Sequence, residues 1–207
     1  MLKGLPSIIH PNQLCEGCLM GKQFHKSFLK ESTLRANQPL QEIHADVCGP
    51  MKPFLFGKKI LYFLLFIDDY SRKTWVYFLK EKFNVFSCFK KFKTLVEKES
   101  DYSIKSLRTN SEGEFCSNDF NEFCKDHGIK RLLTMPRSPQ QNDMVERKNI
   151  SILNMARNML KTKKTPKEFW AEVVDCAISL SNRCLTKNMN GMTRLLFQQG
   201  VCSQGEN

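Results

Sequence analysis

The sequence predicts an α/β protein in which a mixed β-sheet is covered by helices on both faces. Three observations lead to this class. Runs of strand-forming residues come first and follow one another closely, helical periodicity then begins, and short strands and helices alternate from there onward. The five predicted strands span residues 40–48, 60–67, 74–79, 103–109 and 129–134. The predicted helices span residues 81–98, 118–127 and 142–161, and a last helix opens at Pro166.

The first three strands are predicted from residue types and from the turns between them. Residues 40–48 stop at a Gly-Pro pair, and residues 60–67 form a continuous apolar run that is consistent with a strand buried on both faces. Residues 74–79 are rich in β-branched and aromatic side chains. Because residues 68–73 are too few to hold a helix, the second and third strands are expected to form an antiparallel hairpin.

Helical periodicity begins after the third strand. The helix over 81–98 is expected to bury Val85, Phe89, Phe92 and Val96. The helix over 142–161 is expected to bury Val145, Ile152, Ala156 and Met159. The last helix is expected to bury Phe169, Val173, Cys176 and Leu180. Between them, the helix over 118–127 is expected to close at Gly128, since glycine tolerates the left-handed conformation that ends many helices.

Three segments are predicted along the chain. Residues 1–39 show little periodic structure, and Pro39 marks their boundary with the main domain. Residues 40–187 hold the strands and helices and form the core. Residues 188–207 show no regular element and are expected to have little structure. A chain of 207 residues is long enough for one sizeable core with short appendages.

The composition favours nucleic acid as the partner. Lysine and arginine number 32 against 21 aspartates and glutamates, and the resulting net charge of +11 attracts polyanions. No apolar run approaches the roughly 20 residues that cross a membrane, and the N-terminus lacks the apolar region of a signal peptide. The nine cysteines lie mostly singly, which suits reduced thiols. The sequence therefore predicts an intracellular protein with no membrane partner.

Two carboxylates lie near the ends of predicted elements and could converge. Asp46 is flanked by apolar residues near the end of the first strand, where an unpaired carboxylate would be costly to bury. It therefore needs a partner, and a divalent metal ion is one option. Glu146 lies in the first turn of a long helix, where a surface glutamate is common and mildly stabilising. From residue types alone, the surface interpretation of Glu146 is the more frequent one.

Several phrases of the sequence occur together in a fixed order. They are IHADVCGP at 43–50, FIDDYSRKTW at 66–75, PQQN at 139–142, ERKN at 146–149 and EFWAE at 168–172. Through these phrases, residues 40–185 resemble the integrase core of copia-type retrotransposon polyproteins. The resemblance implies a ribonuclease H-like fold, with a mixed five-stranded sheet flanked by helices. It also implies metal-dependent processing and joining of DNA ends.

The resemblance implies that an Asp-Asp-Glu triad holds two divalent ions, Mg²⁺ or Mn²⁺. Asp46 matches the first aspartate and Glu146 matches the glutamate. The position of the second aspartate, in the phrase RTNSEGEF, holds Asn110, and 35 residues separate it from Glu146. Because an asparagine offers only a neutral carbonyl oxygen, metal binding and catalysis are expected to be weakened. Whether Glu112 or Glu114 could replace the missing carboxylate stays open.

Basic charge is concentrated between residues 137 and 167, which hold eight basic and two acidic side chains. In the family this loop and helix approach the DNA backbone. The residues expected to bind nucleic acid are Arg137, Gln141, Asn142, Arg147, Lys148 and Asn149. A solvated helix face is the alternative interpretation of these charges. The resemblance also implies element ends and target DNA as partners, a homo-oligomer, no small-molecule cofactor, and a location in the nucleus or a virus-like particle.

Zinc is a weaker expectation. The phrase CEGCLMGK resembles the end of the zinc-binding segment that precedes such cores, and it places Cys15 and Cys18 at the spacing of two zinc ligands. A structural zinc site needs four ligands. His10 and His25 match no family position, so a metal-free remnant is favoured.

Four other polar residues are given structural interpretations. Asp68 and Asp69 fall in the predicted hairpin, where turn acids bond to the backbone more often than to metals. His44 and His127 are expected to pack or to form local hydrogen bonds.

Three functions remain open from the sequence. The favoured one is an integrase-like core for DNA integration that binds DNA and whose catalysis is impaired by Asn110. The alternatives are a nucleic-acid-binding relic without chemistry and a polyprotein fragment that does not fold on its own.

Overall fold

The structure, a computed structural model, describes residues 35–50, 62–110, 113–134 and 143–184. Its five strands are β1 (Glu42–Cys48), β2 (Tyr62–Asp68), β3 (Thr74–Leu79), β4 (Ser106–Asn110) and β5 (Lys130–Thr134). Its α-helices are α1 (Val85–Lys98), α2 (Asn118–Asp126), α3 (Asp143–Thr162) and α4 (Trp170–Arg183). The predicted α/β class is therefore confirmed.

The five strands form one mixed sheet in the order β3-β2-β1-β4-β5. The pairs β1–β2 and β2–β3 are antiparallel, so the predicted hairpin is confirmed. The pairs β1–β4 and β4–β5 are parallel. The strand β4 begins at Ser106, three residues later than predicted, because its partner β1 begins at Glu42 and pairs Glu42 with Ser106.

The first face of the sheet is covered by α1 and α2, and its core is aromatic. Phe66 of β2 stacks on Phe92 of α1 with ring centroids 4.1 Å apart, and Phe89 stacks on Phe120 of α2 at 5.1 Å. All four residues predicted for the buried face of α1 are buried. Burial of several phenylalanines removes much apolar surface from water and is the main source of stability on this face.

The second face is covered by α3 and α4. Phe63 and Leu65 of β2 pack there against α3 and α4. Of the residues predicted for the inner face of α3, Val145, Ile152 and Ala156 are buried and Met159 packs partly against this core. The prediction for α3 is therefore confirmed.

The inner face of α4 differs from the predicted one. The apolar residues that it buries are Ala171, Val174, Ala177 and Ile178. In the predicted row, Phe169 and Leu180 are 51% and 43% exposed, Cys176 is exposed, and only Val173 packs partly on the core. The prediction is wrong because α4 carries two apolar rows. The row with two alanines faces inward, since small side chains let neighbouring helices approach closely.

Asp68 and Asp69 fasten the chain that leads into β1. Asp68 is fully buried and accepts hydrogen bonds from the N–H groups of Leu40 (3.0 Å) and Ser71 (2.8 Å). Asp69 accepts one from the N–H of Ala36 at 2.8 Å. The structural interpretation of both acids agrees with these contacts. Residues 36–40 are thereby tied to the core, ahead of the predicted boundary at Pro39.

The histidines also make local contacts. His44 is 6% exposed, and its Nε2 lies 3.3 Å from both Glu42 Oε1 and Asp69 Oδ1. His127 follows α2, with Nδ1 2.8 Å from the Phe123 carbonyl oxygen. Gly128 closes this helix with a positive φ of 65°, as predicted.

Two further expectations bear on the described residues. No helix among them is long and apolar enough to cross a bilayer. The six cysteines that the described segments contain are all unbridged. Cys15, Cys18 and the predicted tail 188–207 lie outside the described residues.

The Asp69 carboxylate should make stability fall in acid. Burial alone would raise its pKa, but hydrogen bonds from His44 and the Ala36 N–H, with the charge of Arg72, lower the pKa from 3.8 to about 2. A depressed pKa stabilises the fold above pH 4, and this contribution is lost as the pH falls towards 2. Asp69→Asn should cost about 1–3 kcal/mol at pH 7 and should flatten the decline between pH 4 and pH 2.

Urea unfolding followed by circular dichroism at several pH values checks this, with the exposed Asp101→Asn as control. A variant whose stability parallels the parent at every pH would contradict the assignment. A cooperative transition in the parent chain would also exclude a fragment that does not fold on its own.

Candidate active site

Asp46 stands at the centre of the candidate site. It lies in β1, the middle strand of the sheet, between Ala45 and Val47, which pack in the core under α1 and α2. Because side chains alternate along a strand, Asp46 projects to the opposite face, which α3 covers. Its side chain is partly buried there. A carboxylate in this position requires hydrogen-bond donors or a cation.

Two asparagine amides supply donors to Asp46. Asn110, the last residue of β4, donates from Nδ2 to Asp46 Oδ1 at 3.4 Å. Asn149 of α3 donates from Nδ2 to Asp46 Oδ2 at 2.6 Å. Three elements distant in the sequence therefore meet at one carboxylate. Hydrogen bonds to the charged form of an acid stabilise that form.

The two amides also leave acceptors unused. The Oδ1 atoms of Asn110 and Asn149 are buried without a hydrogen-bond partner in the described residues. An unsatisfied buried carbonyl oxygen costs free energy. Such oxygens are also ligands for hard cations such as Mg²⁺. Among the residues that the structure describes, the oxygen ligands that could reach a cation beside Asp46 therefore include its own carboxylate and two neutral amides.

Cys48 borders the same carboxylate. Its thiol lies 3.9 Å from Asp46 Oδ2, two residues along β1 on the same face. Burial, followed by the negative charge of Asp46 and the hydrogen bond to it, raises the pKa of Cys48 from 9.0 to about 12. The sulfur is therefore held as a neutral thiol at physiological pH and is a poor metal ligand or nucleophile in this state.

Glu146 is one helical turn before Asn149 on α3. At 100° per residue its side chain leaves the helix about 60° from that of Asn149, towards solvent, and it is exposed. The described residues contain no group of three His, Cys, Asp or Glu side chains that could hold a metal ion. The structure thus brings Asp46 together with Asn110 and places Glu146 nearby on the helix, without an acidic cluster.

Glu114 forms an ion pair away from Asp46. Its side chain is 7% exposed and forms an ion pair with Lys82, whose ammonium lies 5.7 Å from the centroid of the Tyr62 ring. Tyr62 and Phe115 belong to the core under α1 and α2, on the face opposite to Asp46. The Glu114 carboxylate therefore does not replace the one missing at Asn110. Glu112 lies outside the described residues.

The residues predicted to bind nucleic acid divide into three groups. Arg147 is exposed on α3. Lys148 donates from Nζ to Ser181 Oγ of α4 at 2.6 Å, and Asn149 is buried against Asp46. Arg137, Gln141 and Asn142 lie outside the described residues. The structure therefore gives Lys148 and Asn149 contacts within the protein.

The contact of Asn149 with Asp46 is absent from the sequence predictions, although a signal for it exists. Asn149 falls in the same helical row as Val145, Ile152 and Ala156, and a polar residue in an apolar row requires a buried partner. Cys48 has a similar signal, since it lies two residues after Asp46 on a strand.

The comparisons with known sequences agree with this architecture. A family model described as the integrase core domain matches residues 36–139. Over 82% of its length the chain is 46% identical to the retrovirus-related Pol polyprotein from transposon TNT 1-94 of Nicotiana tabacum. Over 83% it is 33% identical to that from transposon RE2 of Arabidopsis thaliana. The chain spans only 13% and 12% of these relatives, and the matches confirm the resemblance found in the sequence phrases.

Solved structures share the fold. The simian T-cell lymphotropic virus intasome in complex with PP2A regulatory subunit B56 gamma matches with a TM-score of 0.66 and 15% identity, covering 91% of this chain and 64% of that one. The HTLV-2 integrase catalytic core domain in complex with magnesium matches with a TM-score of 0.58 and 21% identity, covering 79% and 99%. The ribonuclease H-like fold is thereby confirmed.

The variant Asn110→Asp should couple stability to divalent cations. A second carboxylate 3.4 Å from Asp46 loses the amide donor and adds a like charge, which costs about 5 kcal/mol at an effective dielectric constant of about 20. Without metal the variant should therefore unfold at lower temperature than the parent. Millimolar Mg²⁺ should restore much of this loss, because an ion bound only to the folded state stabilises it.

Thermal unfolding with and without Mg²⁺ measures both effects. Asn118→Asp, at the exposed start of α2, is the matched control because it adds the same charge away from Asp46. If Asn110→Asp unfolded at the same temperature as the parent, both with and without Mg²⁺, the geometry around Asp46 would be refuted.

Proposed function

This chain belongs to the integrase core domain family, and from that premise we propose that it binds DNA and that Asn110 impairs its catalysis. The proposed ancestral reaction is the family's metal-dependent processing of DNA ends and strand transfer during integration of a retrotransposon. The observation that carries the proposal is the hydrogen bond from the Asn110 amide to Asp46, at the position where the resemblance places a second aspartate.

The side chains available as metal ligands support impaired catalysis rather than full activity. When bound, two divalent ions would activate the attacking oxygen and neutralise charge on the leaving oxygen. Asp46 and Glu146 are the carboxylates proposed to hold them, with Mg²⁺ or Mn²⁺ as the ion. Two dications held by two carboxylates and neutral amides lack one negative charge of the family's three. The described residues therefore supply two of the three carboxylates of the family's two-ion site.

Asp46 itself is stabilised without a cation. Both of its oxygens accept hydrogen bonds from asparagine amides, so a metal ion would have to displace or reorient these donors. This competition and the missing negative charge both weaken metal binding at Asp46. Removal of one shared ligand should reduce the rate by orders of magnitude, equivalent to several kcal/mol of transition-state stabilisation.

The exposed side of α3 supports the DNA-binding part of the proposal. Arg147, Arg157 and Lys161 are exposed and leave the helix within an arc of about 80°, at 100° per residue. Lys163 and Lys164 follow at its end and are exposed as well. A row of cations without intervening acids suits a phosphate backbone, with which contacts are independent of base sequence. We call Arg147, Arg157 and Lys161 the basic arc.

Element ends and target DNA are the proposed partners, in a homo-oligomer, since the related simian virus structure is an intasome. The nucleus or a virus-like particle is the proposed location. A DNA-binding relic without chemistry is the second candidate, and Asn110 is the observation that favours it.

DNA binding should depend on the basic arc and on salt. Replacing Arg157 and Lys161 by alanine should weaken binding to duplex DNA and lower the slope of log K against log salt by about 1 per lost phosphate contact. Fluorescence anisotropy at several salt concentrations measures both. The matched control is Lys91→Ala with Lys98→Ala, which removes two exposed charges from α1 on the other face. An equal loss of DNA affinity in the two double variants would refute a DNA-binding surface at the basic arc.

Strand transfer should require a restored carboxylate. In an assay with labelled element ends and Mg²⁺ or Mn²⁺, the parent chain should show little product, and Asn110→Asp should raise it by an order of magnitude or more. Adding Asp46→Ala to the restored variant should abolish the gain, which excludes a contaminating nuclease. Robust activity in the parent chain would overturn the impaired-catalysis proposal and leave the DNA-binding proposal standing.

A further inference from the structure

Two consecutive residues of α3 make hydrogen bonds in two directions. Lys148 is half-buried and donates from Nζ to Ser181 Oγ of α4 at 2.6 Å. Asn149, the next residue, is buried and donates to Asp46 Oδ2 in the sheet, also at 2.6 Å. Successive side chains leave a helix about 100° apart, so one bond runs sideways to the neighbouring helix and the other runs to β1. Together the two bonds resist both sliding of this turn of α3 and its rotation about the helix axis.

The α4 side of this contact is itself held to the sheet. Asn182 follows Ser181 and is 6% exposed. Its Oδ1 accepts a hydrogen bond from the N–H of Thr74 at 3.0 Å, and its Nδ2 donates to the Thr74 carbonyl oxygen at 2.8 Å. Thr74 begins β3, an edge strand, and the side-chain amide pairs with its backbone as a neighbouring strand would. Ser181 is therefore anchored, through the residue next to it, to the edge of the sheet.

We propose that Lys148 is a positioning residue for the site at Asp46. Acting through Ser181, it holds the turn of α3 that carries Glu146 and Asn149 in a fixed place beside β1. The inference deepens the proposed function and rests on it for the role of Glu146 as a metal ligand. The placement of Asn149 against Asp46 does not depend on that role, so it can be measured without metal and without activity.

A small rotation of α3 would be enough to disturb the site. Side-chain atoms lie about 5–6 Å from a helix axis, so a rotation of about 20° moves them by about 2 Å. Such a shift would break the bond between Asn149 and Asp46 and would displace Glu146 by a similar distance. Functional groups have to be held within about 0.5 Å of the productive geometry. A second anchor on the same turn therefore protects the geometry of the site as well as adding a hydrogen bond.

The alternative role for Lys148 is contact with a DNA phosphate. At 100° per residue, Lys148 leaves α3 at least 100° away from every residue of the basic arc. Its ammonium is directed to Ser181, and a charged donor forms a stronger hydrogen bond than a neutral one. The direction of the side chain therefore favours positioning over contact with DNA.

Proton exchange at the Asn149 side-chain amide tests the proposal in the folded, full chain without metal. NMR measures exchange of the Nδ2 protons with water, and the backbone N–H of Phe66, in the middle of β2, reports global unfolding. Lys148→Met and Ser181→Ala should each speed exchange at Asn149 about tenfold, because loss of the bond lowers the free energy of local opening. The double variant should be no faster than either single variant, since both changes remove the same bond.

Two matched variants serve as controls. Ser181→Thr keeps the hydroxyl that accepts from Lys148 and should leave Asn149 exchange at the parent's rate. Ser151→Ala removes an exposed hydroxyl from α3 and should do the same. If Lys148→Met does not fold, the comparison of Ser181→Ala with Ser181→Thr carries the test.

Two results would overturn the positioning role. The first is exchange at Asn149 that stays at the parent's rate in both single variants. The second is equal acceleration at Asn149 and Phe66, because the bond would then contribute only to overall stability.

Affinity for duplex DNA measures the proposed function separately. Ser181→Ala changes no charge and should bind DNA as the parent does. If Lys148→Met lost as much affinity as Arg157→Ala while Ser181→Ala left Asn149 exchange unchanged, Lys148 would be a phosphate ligand. The positioning role would then be overturned and DNA binding would stand. Conversely, faster Asn149 exchange in a chain that binds no DNA would support positioning and contradict the DNA-binding proposal.

Discussion

The arrangement of the second face depends on how one partly buried carboxylate is satisfied. Asp46 projects from the central strand beneath α3, and asparagines from β4 and α3 donate to its two oxygens. These bonds tie together residues that are more than 60 and more than 100 positions apart in the chain. Since an unpaired carboxylate there would be costly, the amides stabilise a site that a family member would complete with cations. The same bonds therefore support the fold, and in the proposed function a metal ion would have to displace them.

Acidic residues have two separate roles at the two ends of β1. Near its start, Asp68 and Asp69 bind backbone N–H groups and hold the entering chain, and the charge of Arg72 lies 3.2 Å from Asp69. Near its end, Asp46 faces amides. The division follows from the antiparallel register, which pairs Asp68 with Ile43 and Leu65 with Asp46. Asp68 and Asp69, which are neighbours in the sequence, therefore anchor the chain that enters β1, while Asp46 belongs to the candidate site.

The helices on the two faces of the sheet differ in the side chains that they expose to solvent. Aromatic rings fill much of the core under α1 and α2, although Leu95 of α1 is 42% exposed. On α4 the inward contact includes the small residues Ala171 and Ala177, while Phe169 and Leu180 stay exposed. The surface of this second face is therefore both basic, along α3, and apolar, along α4.

The sequence by itself determined the fold class, the order of the strands and α-helices that the structure describes, and the buried rows of α1 and α3. Local periodicity and short turns carry this information, because they depend on residues close together in the chain. Only the tertiary structure decided which of two apolar rows of α4 faces inward, that Asn149 binds Asp46, and that Glu114 pairs with Lys82 on the opposite face. Those outcomes depend on helix packing distances and on partners brought together by the sheet; the helical row of Asn149 indicates that its side chain is buried but not which residue it contacts.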